Sequence, residues 1–284
     1  MRFQLLKLDC LNALLLLFIS MNSHFFLLSA YRDKKIVNSF RARPFVPPSG
    51  WLASNPHYQT IIGSEALRLK LVGSYPRSFQ TKRERVYTLD KDFFDVDFTS
   101  NCFEEEESNT SSSSSSSHKE EEGSIHSVDG CRKKKPMVLI LHGLESNSEG
   151  PLVTKMTSSF LNKGFCCCLV SFRSCSGEEN RTPGAYHLGF TKDVDFLVKT
   201  VIRKRFPGRD IYLSGFSLGG NVVLKYLGEL GDQAIENRVA GAVVTCVPFD
   251  PVASQCKLDT GFNRAVYSMV LFYSLYIQYY NSSL

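Results

Sequence analysis

The chain has 284 residues, of which 43% are hydrophobic and 21% are charged, and these values are typical of a globular domain with a sizeable core. The net charge of +5 is modest, and Lys and Arg are dispersed along the chain except at residues 132–135. This basic cluster precedes an apolar run, and we interpret it as a solvated linker rather than a phosphate-binding patch. The composition therefore argues against a nucleic-acid partner.

The N-terminal segment, residues 1–35, is apolar and ends in basic residues. Residues 10–31 are about long enough to span a bilayer, although Asn12, Asn22 and His24 interrupt the apolar run. We interpret the segment as a membrane anchor or signal-anchor, which predicts a membrane-associated protein. A cleaved peptide that targets an organelle and an ordinary helix of a cytoplasmic protein are the alternatives.

Residues 36–103 are predicted to form an entry segment and the first strands. Apolar and polar side chains alternate over residues 66–72 and 85–98, which predicts strands of an antiparallel hairpin region. Residues 104–130 are rich in Glu and Ser and cannot bury a core, so we predict a disordered surface loop there. This loop is interpreted as a tolerated insertion, with a phosphorylated switch as the alternative.

Residues 131–264 alternate between apolar strand patterns and amphipathic helix patterns. Continuous apolar strands separated by such helices predict an α/β fold, with a mostly parallel sheet covered by helices on both faces. The predicted strands are residues 137–141, 165–172, 210–213 and 239–247, and the predicted helices are residues 151–163, 191–205 with Thr191 as its cap, and 218–230.

The chain contains nine cysteines, three of which are adjacent at residues 166–168 inside a predicted strand. We interpret these three as buried free thiols, which favours a reducing compartment. No pair of cysteines has zinc-finger spacing, and no set of metal ligands is clustered in the sequence. We therefore expect neither a metal nor another cofactor.

A G-x-S-x-G pentapeptide occupies residues 215–219. The strand pattern before it and the helix pattern after it give the context of a nucleophile elbow, the turn that presents the catalytic serine of an α/β-hydrolase. Its glycines are needed because side chains there would clash with the neighbouring strand and helix. Ser217 is therefore the candidate nucleophile for hydrolysis or transfer of an acyl group.

A second motif, His142-Gly143-Leu144-Glu145, directly follows the predicted strand at 137–141. In an α/β-hydrolase, a loop at this place supplies one backbone N–H of the oxyanion hole, and the residue after the nucleophile supplies the other. The expected oxyanion-hole donors are the amides of Leu144 and Leu218. The side chain of His142 is predicted to brace this loop rather than to act as an acid or a base.

These motifs, with several others, resemble the YheT-like branch of the α/β-hydrolases, which includes plant embryogenesis-associated proteins and animal abhydrolase-domain lipases. The segments that carry the resemblance are residues 50–60, 141–145, 172–178, 181, 186–191, 193, 215–221 and 247–250. It extends over about residues 45–264. The resemblance implies a serine esterase or lipase that acts on acyl esters such as monoacylglycerols or phospholipids, and some relatives are alcohol acyltransferases.

The resemblance ends after Arg264, and the apolar tail at residues 265–284 carries no charged side chain. In the family the triad acid and histidine follow later strands. We therefore expect the last strands, the acid and the histidine to be missing, and we expect residues 239–247 to form an exposed sheet edge unless the tail covers it. His187 and Asp250 are the candidates that could substitute for the missing base and acid.

The expected lack of a base leaves two functions open. A serine hydroxyl without a neighbouring base is a poor nucleophile at neutral pH, so a serine hydrolase of this kind would be inactive in the present form. The alternative is a non-catalytic binding or regulatory protein built on the hydrolase fold.

Overall fold

The computed structural model describes residues 50, 54–63, 76–103, 134–273 and 276. In these ranges the chain forms one six-stranded sheet with flanking helices. No helix among these residues is long and apolar enough to cross a membrane. Three predictions fall outside the described residues, namely those for residues 1–35, 66–72 and 104–130.

The strand order in the sheet is β1-β2-β4-β3-β5-β6. The strands are β1 (Thr81–Tyr87), β2 (Phe93–Thr99), β3 (Met137–Leu141), β4 (Cys166–Ser171), β5 (Ile211–Phe216) and β6 (Val239–Thr245). Strand β2 is antiparallel to both of its neighbours, whereas β3 to β6 pair in parallel. The predicted α/β architecture with a mostly parallel sheet is confirmed.

Helices lie before β1, between the parallel strands and after β6, and those between the parallel strands follow the apolar periodicity of the sequence. They are α1 (Pro56–Gly63), α2 (Pro151–Leu161), α3 (Lys192–Phe196), α4 (Leu218–Leu230), α5 (Gln233–Glu236), α6 (Pro251–Leu258) and α7 (Gly261–Asn263). Helix α3 continues as a π-helical segment over Leu197–Ile202 and a short α-helical segment over Arg203–Arg205, and α7 continues as a π-helical segment over Arg264–Ser268. A 3₁₀ turn at Ser100–Cys102 follows β2.

Helices cover both faces of the sheet. Alternate residues of a strand face opposite sides, so each central strand contributes side chains to both apolar cores. Leu139 contributes to the larger apolar core with α3 and α4, whereas Val138 packs with α2 on the other face. The cysteines of β4 follow the same alternation, with Cys168 in the larger core and Cys167 in the smaller one. The three cysteines of β4 are fully buried and free, as expected.

The prediction of a single strand over residues 85–98 is wrong, because a turn divides this segment. The Thr88 N–H donates to the Asp92 carbonyl oxygen at 2.9 Å, and Lys91 adopts a left-handed φ of 65°. Strands β1 and β2 on either side of the turn form the hairpin. The alternation of apolar and polar residues runs through the turn, so the pattern alone does not mark it.

Strand β2 is buried along its whole length although it carries two carboxylates. Asp95 accepts two hydrogen bonds from Arg85 of β1, at 2.9 and 3.1 Å. Asp97 accepts two from Arg83, at 2.9 and 3.0 Å. Paired, bidentate charges of this kind satisfy carboxylates that would otherwise be costly to bury.

The threonine that was predicted to cap the helix at 191–205 does not cap it. Thr191 lies at the N-cap position of α3, but its hydroxyl makes no capping hydrogen bond. It donates instead to the Glu229 carboxylate of α4, at 2.6 Å. The hydroxyl therefore links two neighbouring helices rather than the first turn of its own helix.

The predicted sheet edge at residues 239–247 corresponds to β6, which is the last strand of the described sheet. The described part of the tail is helical and does not pair with it. The Tyr267 hydroxyl lies 3.1 Å from Nδ1 of His57 in α1, and the Ser268 hydroxyl donates to the Leu258 carbonyl oxygen. Beyond these contacts, the tail leaves large apolar side chains exposed, namely Met269, Val270, Phe272, Tyr273 and Tyr276.

Candidate active site

Ser217 lies in the tight turn between β5 and α4. Its backbone has φ 53° and ψ −123°, which is a strained conformation for a residue with a side chain. A Cβ atom on Gly215 would lie 2.6 Å from the carbonyl group of Gly219, so the two ends of the turn meet at backbone contact distance. The turn therefore requires glycine at position 215, as the sequence motif predicts.

The same turn is pressed against the end of β3. A Cβ atom on Gly219 would lie 2.4 Å from the carbonyl oxygens of Leu141 and His142, and one on Gly143 would lie 3.3 Å from the Ser217 Cβ atom. The His142–Glu145 motif and the G-x-S-x-G motif, about 75 residues apart in the sequence, are thus in direct contact.

The two expected oxyanion-hole donors lie on the segments that flank Ser217. Leu218 is the first residue of α4, where N–H groups have no partner within the helix and where the helix dipole favours negative charge. Leu144 follows Gly143, the residue whose backbone approaches Ser217. Leu144 and Leu218 therefore directly follow Gly143 and Ser217, the two residues at which the motifs make contact.

His142 is fully buried and held at both ring nitrogens. Its Nε2 atom accepts the backbone N–H of Phe172 at 3.1 Å, so the ring proton is assigned to Nδ1, which donates to the Gly143 carbonyl oxygen at 2.6 Å. Burial lowers the pKa of His142 to about 4, so the ring is neutral at pH 7. His142 therefore braces the loop, as predicted, and its engaged nitrogens do not reach Ser217.

The other two described histidines also contact groups other than Ser217. His57 contacts Tyr267 of the tail and its ring packs against Phe262, with ring centroids 4.5 Å apart. His187 is exposed, with Nδ1 2.6 Å from the Leu188 carbonyl oxygen, and it lines a cavity of about 590 Å³ between α3 and α4 that does not include the serine. Within the described ranges, no histidine is hydrogen-bonded to the Ser217 hydroxyl.

Asp250, the candidate acid, is the N-cap of α6. Its carboxylate accepts the backbone N–H of Ala253 at 2.9 Å and the residue is exposed. Nearby, the Asn221 side chain of α4 donates to the Pro248 carbonyl oxygen at 3.0 Å, which ties the loop after β6 to the serine helix. The structure therefore does not bring His187 and Asp250 together with Ser217.

A buried ion network, to which the sequence motifs gave no role, braces the loops at the carboxyl end of the parallel strands. Arg173 is 3% exposed and binds Asp193 of α3 through two hydrogen bonds of 2.7 and 2.8 Å. It also contacts Asp90 and Asp92 in the β1–β2 turn. Its guanidinium lowers the pKa of Asp90 to about 2. Two sequence signals pointed to this network, namely an arginine placed directly after a buried strand and the presence of Arg173 and Asp193 among the residues that carry the family resemblance.

Metal-assisted chemistry gains no support from the side chains in the described part of the chain. No three His, Cys, Asp or Glu side chains converge there in a way that could hold a metal ion. The acidic side chains around Arg173 contact its guanidinium.

Comparisons with known proteins bear on the family. A model of the α/β-hydrolase fold matches residues 136–278. The chain is 37% identical over 117 residues to a monoacylglycerol lipase of Saccharomyces cerevisiae, covering 41% of this chain and 25% of that protein. It is 31% identical over 130 residues to the YheT protein of Escherichia coli, covering 46% of this chain and 37% of that protein. It is 34% identical over 138 residues to the embryogenesis-associated protein EMB8 of Picea glauca, covering 48% of this chain and 29% of that protein.

The matched regions thus extend over between a quarter and somewhat more than a third of the length of these three relatives. The family model, in contrast, covers half of the present chain, from the residue before β3 into the tail. The parallel pairing of β3 to β6 and the turn at Ser217 fall inside the matched range, whereas β1 and β2 precede it. The chain belongs to the α/β-hydrolase fold family, and within that family it is similar to YheT and EMB8 over somewhat less than half of its own length.

Proposed function

We propose that the chain carries the nucleophile and oxyanion hole of a serine hydrolase of the carboxylesterase or acylglycerol-lipase type. The observation that carries this proposal is the left-handed Ser217 between β5 and α4, with the loop after β3 in contact with it. In this proposal the turn is a nucleophile elbow, whose strain exposes the hydroxyl at the end of the sheet.

The proposed reaction is attack of the Ser217 oxygen on the carbonyl carbon of an acyl ester. The ester C–O bond breaks, the alcohol leaves with a proton, and water then hydrolyses the acyl-serine. The backbone N–H groups of Leu144 and Leu218 stabilise the oxyanion of each tetrahedral intermediate, which is the largest contribution that this part of the chain makes.

The base of this reaction is proposed to be a histidine other than His57, His142 and His187. All three make hydrogen bonds to groups other than the serine hydroxyl. Loss of a base reduces turnover by several powers of ten, whereas an oxyanion hole and binding alone leave roughly 10³–10⁴-fold catalysis over water. The activity of the chain therefore depends on whether such a histidine reaches Ser217.

Fatty acyl esters are the proposed substrate class. The support comes from a relative named monoacylglycerol lipase, which shares 37% identity with this chain over 117 residues. An alcohol acyltransferase would use the same serine and oxyanion hole, with an alcohol in place of water as the second nucleophile. Hydrolysis is the simpler proposal because it requires no second substrate site.

A second candidate function is a binding or regulatory protein that retains the hydrolase fold without turnover. The observation that favours it is the absence, within the described ranges, of any histidine contact to the Ser217 hydroxyl. This candidate predicts that the chain binds an acyl ester and leaves it intact.

Labelling with a fluorophosphonate probe tests the proposal. The folded chain is compared with Ser217→Ala and with Ser214→Ala, a matched control that removes a buried hydroxyl three residues earlier in β5. We expect labelling of the wild type and of Ser214→Ala, none of Ser217→Ala, and hydrolysis of p-nitrophenyl butyrate and 2-oleoylglycerol. A folded wild type that is neither labelled nor able to hydrolyse either ester would reject the hydrolase proposal in favour of the binding protein.

A further inference from the structure

The peptide group between Gly143 and Leu144 has a fixed orientation. Its carbonyl oxygen, which belongs to Gly143, accepts the His142 Nδ1–H at 2.6 Å. A peptide group is planar and trans, so the N–H of the same group points in the opposite direction to the C=O. The Leu144 N–H therefore points away from the His142 ring.

The next peptide group is held from a different part of the chain. The Glu145 N–H donates to the Tyr186 hydroxyl at 2.9 Å, across 41 positions of sequence. Glu145 has a left-handed φ of 54°, a conformation that costs free energy for a residue with a side chain and persists only where contacts stabilise it. The Cα atom of Leu144 thus lies between two peptide groups that are each held by a side-chain hydrogen bond.

Tyr186 is itself held by the ring of Phe172, which also contacts His142. Its ring stacks on Phe172, with centroids 5.1 Å apart and planes 2° apart. The backbone N–H of Phe172 is the group that binds His142 Nε2, and the His142 ring lies edge-on to Phe172 at 4.8 Å. Burial raises the pKa of Tyr186, so its phenol is neutral at pH 7 and can accept the Glu145 N–H.

We propose that Tyr186 is a positioning residue that holds the oxyanion-hole loop in its donor conformation. With its hydroxyl in place, the peptide groups on both sides of Leu144 are fixed, and the Leu144 N–H is presented to the oxyanion without a reorganisation step. The effect on catalysis rests on the proposed serine-hydrolase function. The effect on the conformation of the loop does not. Neither the Ser217 turn nor the resemblance to the family assigns a role to this hydroxyl.

The test is Tyr186→Phe, which keeps the ring that stacks on Phe172 and removes only the hydroxyl. Its matched control is Tyr212→Phe, which removes a hydroxyl from a half-buried tyrosine that packs in the smaller core, on the opposite face of the sheet. The rate of inactivation is measured as a function of fluorophosphonate concentration. This gives two separate values, the rate constant at saturating probe and the probe concentration at half-saturation. Because the donor acts on developing charge, we expect the saturating rate constant to fall roughly tenfold to a hundredfold while the half-saturating concentration stays unchanged.

A second measurement is independent of activity. Hydrogen exchange of the Glu145 amide, followed by NMR, is expected to become at least tenfold faster in Tyr186→Phe and to stay unchanged in Tyr212→Phe, because only the first variant removes its acceptor. Wild-type labelling kinetics in Tyr186→Phe would overturn the proposal. If the wild type is not labelled, the hydrolase function fails, and the exchange decides the positioning role: faster exchange at Glu145 supports it and unchanged exchange overturns it.

Discussion

Gly219 of the serine helix lies against Leu141, the last residue of β3, at a distance that excludes any side chain. A Cβ atom added to Gly219 would be 2.4 Å from the Leu141 carbonyl oxygen, which is a backbone atom and cannot rotate away. Real Cβ atoms essentially never approach an atom so closely. This contact joins the strand that leads into the oxyanion loop to the helix that begins after Ser217.

We therefore predict that Gly219→Ala destabilises the fold. Relief of the clash requires β3 and α4 to separate, and overpacking of this kind costs about 1–3 kcal/mol or more. The matched control is Gly228→Ala in the same helix, where an added Cβ meets no atom within 4 Å. Alanine is favoured over glycine in a helix by about 0.5–1 kcal/mol, so the control is expected to gain stability. Urea unfolding of both variants measures the two shifts, and equal shifts would contradict the packing argument.

Arg173 gives a second prediction about stability. Arg173→Met keeps an unbranched side chain but removes the guanidinium, which leaves Asp193 and Asp92, both almost fully buried, without their counter-charge. Breaking a buried ion pair from one side costs about 3–5 kcal/mol. The control is Lys199→Met, which removes a half-exposed pair with Asp195 and should cost at most about 1 kcal/mol. A loss in Arg173→Met as small as in the control would mean that the network contributes little to stability.

The parallel sheet could be predicted from sequence because its signal is local. The strands β3 to β6 consist mainly of apolar residues, and the helices between them are amphipathic. The length and the spacing of the apolar residues were therefore sufficient to predict these elements. The β1–β2 hairpin was harder, since the polar residues of β2 are Asp95 and Asp97. Their partners, Arg85 and Arg83, lie on the neighbouring strand. The register that pairs these arginines with the carboxylates cannot be predicted from the sequence of one strand alone.

In the candidate site, too, the local features could be predicted from the sequence and the contacts between distant segments could not. The turn at Ser217 follows from five consecutive residues, and its glycines are required by contacts within that turn and with β3. The contact of Tyr186 with the Glu145 amide joins segments 41 residues apart and depends on how the loops after β3 and β4 pack. A tyrosine in a loop carries no periodic or motif signal for such a contact, so only the three-dimensional arrangement indicates its role.

Asp250 provides a prediction that separates a structural role from a catalytic one. Its carboxylate caps α6 through the Ala253 N–H, so Asp250→Ala is expected to cost about 1 kcal/mol of stability. The rate of fluorophosphonate labelling at Ser217, measured well below the unfolding transition, is expected to stay at the wild-type value. The control is Asp259→Ala, which changes an exposed carboxylate at the other end of the same helix. A labelling rate that falls at least tenfold in Asp250→Ala alone would assign this residue to the catalytic machinery.

The neutral, buried His142 makes stability depend on pH. Its pKa is about 4 in the folded protein, against about 6.5 in an unfolded chain, so between these values the unfolded state binds a proton that the folded state excludes. Its contribution is fully present above pH 6.5 and is lost as the pH falls towards 4, by about 3 kcal/mol. In His142→Asn this part of the pH dependence should disappear, whereas in His187→Asn, which changes an exposed histidine, it should remain. Urea unfolding from pH 7 to pH 4 measures the difference, and parallel curves for wild type and His142→Asn would show that the buried ring is charged or accessible.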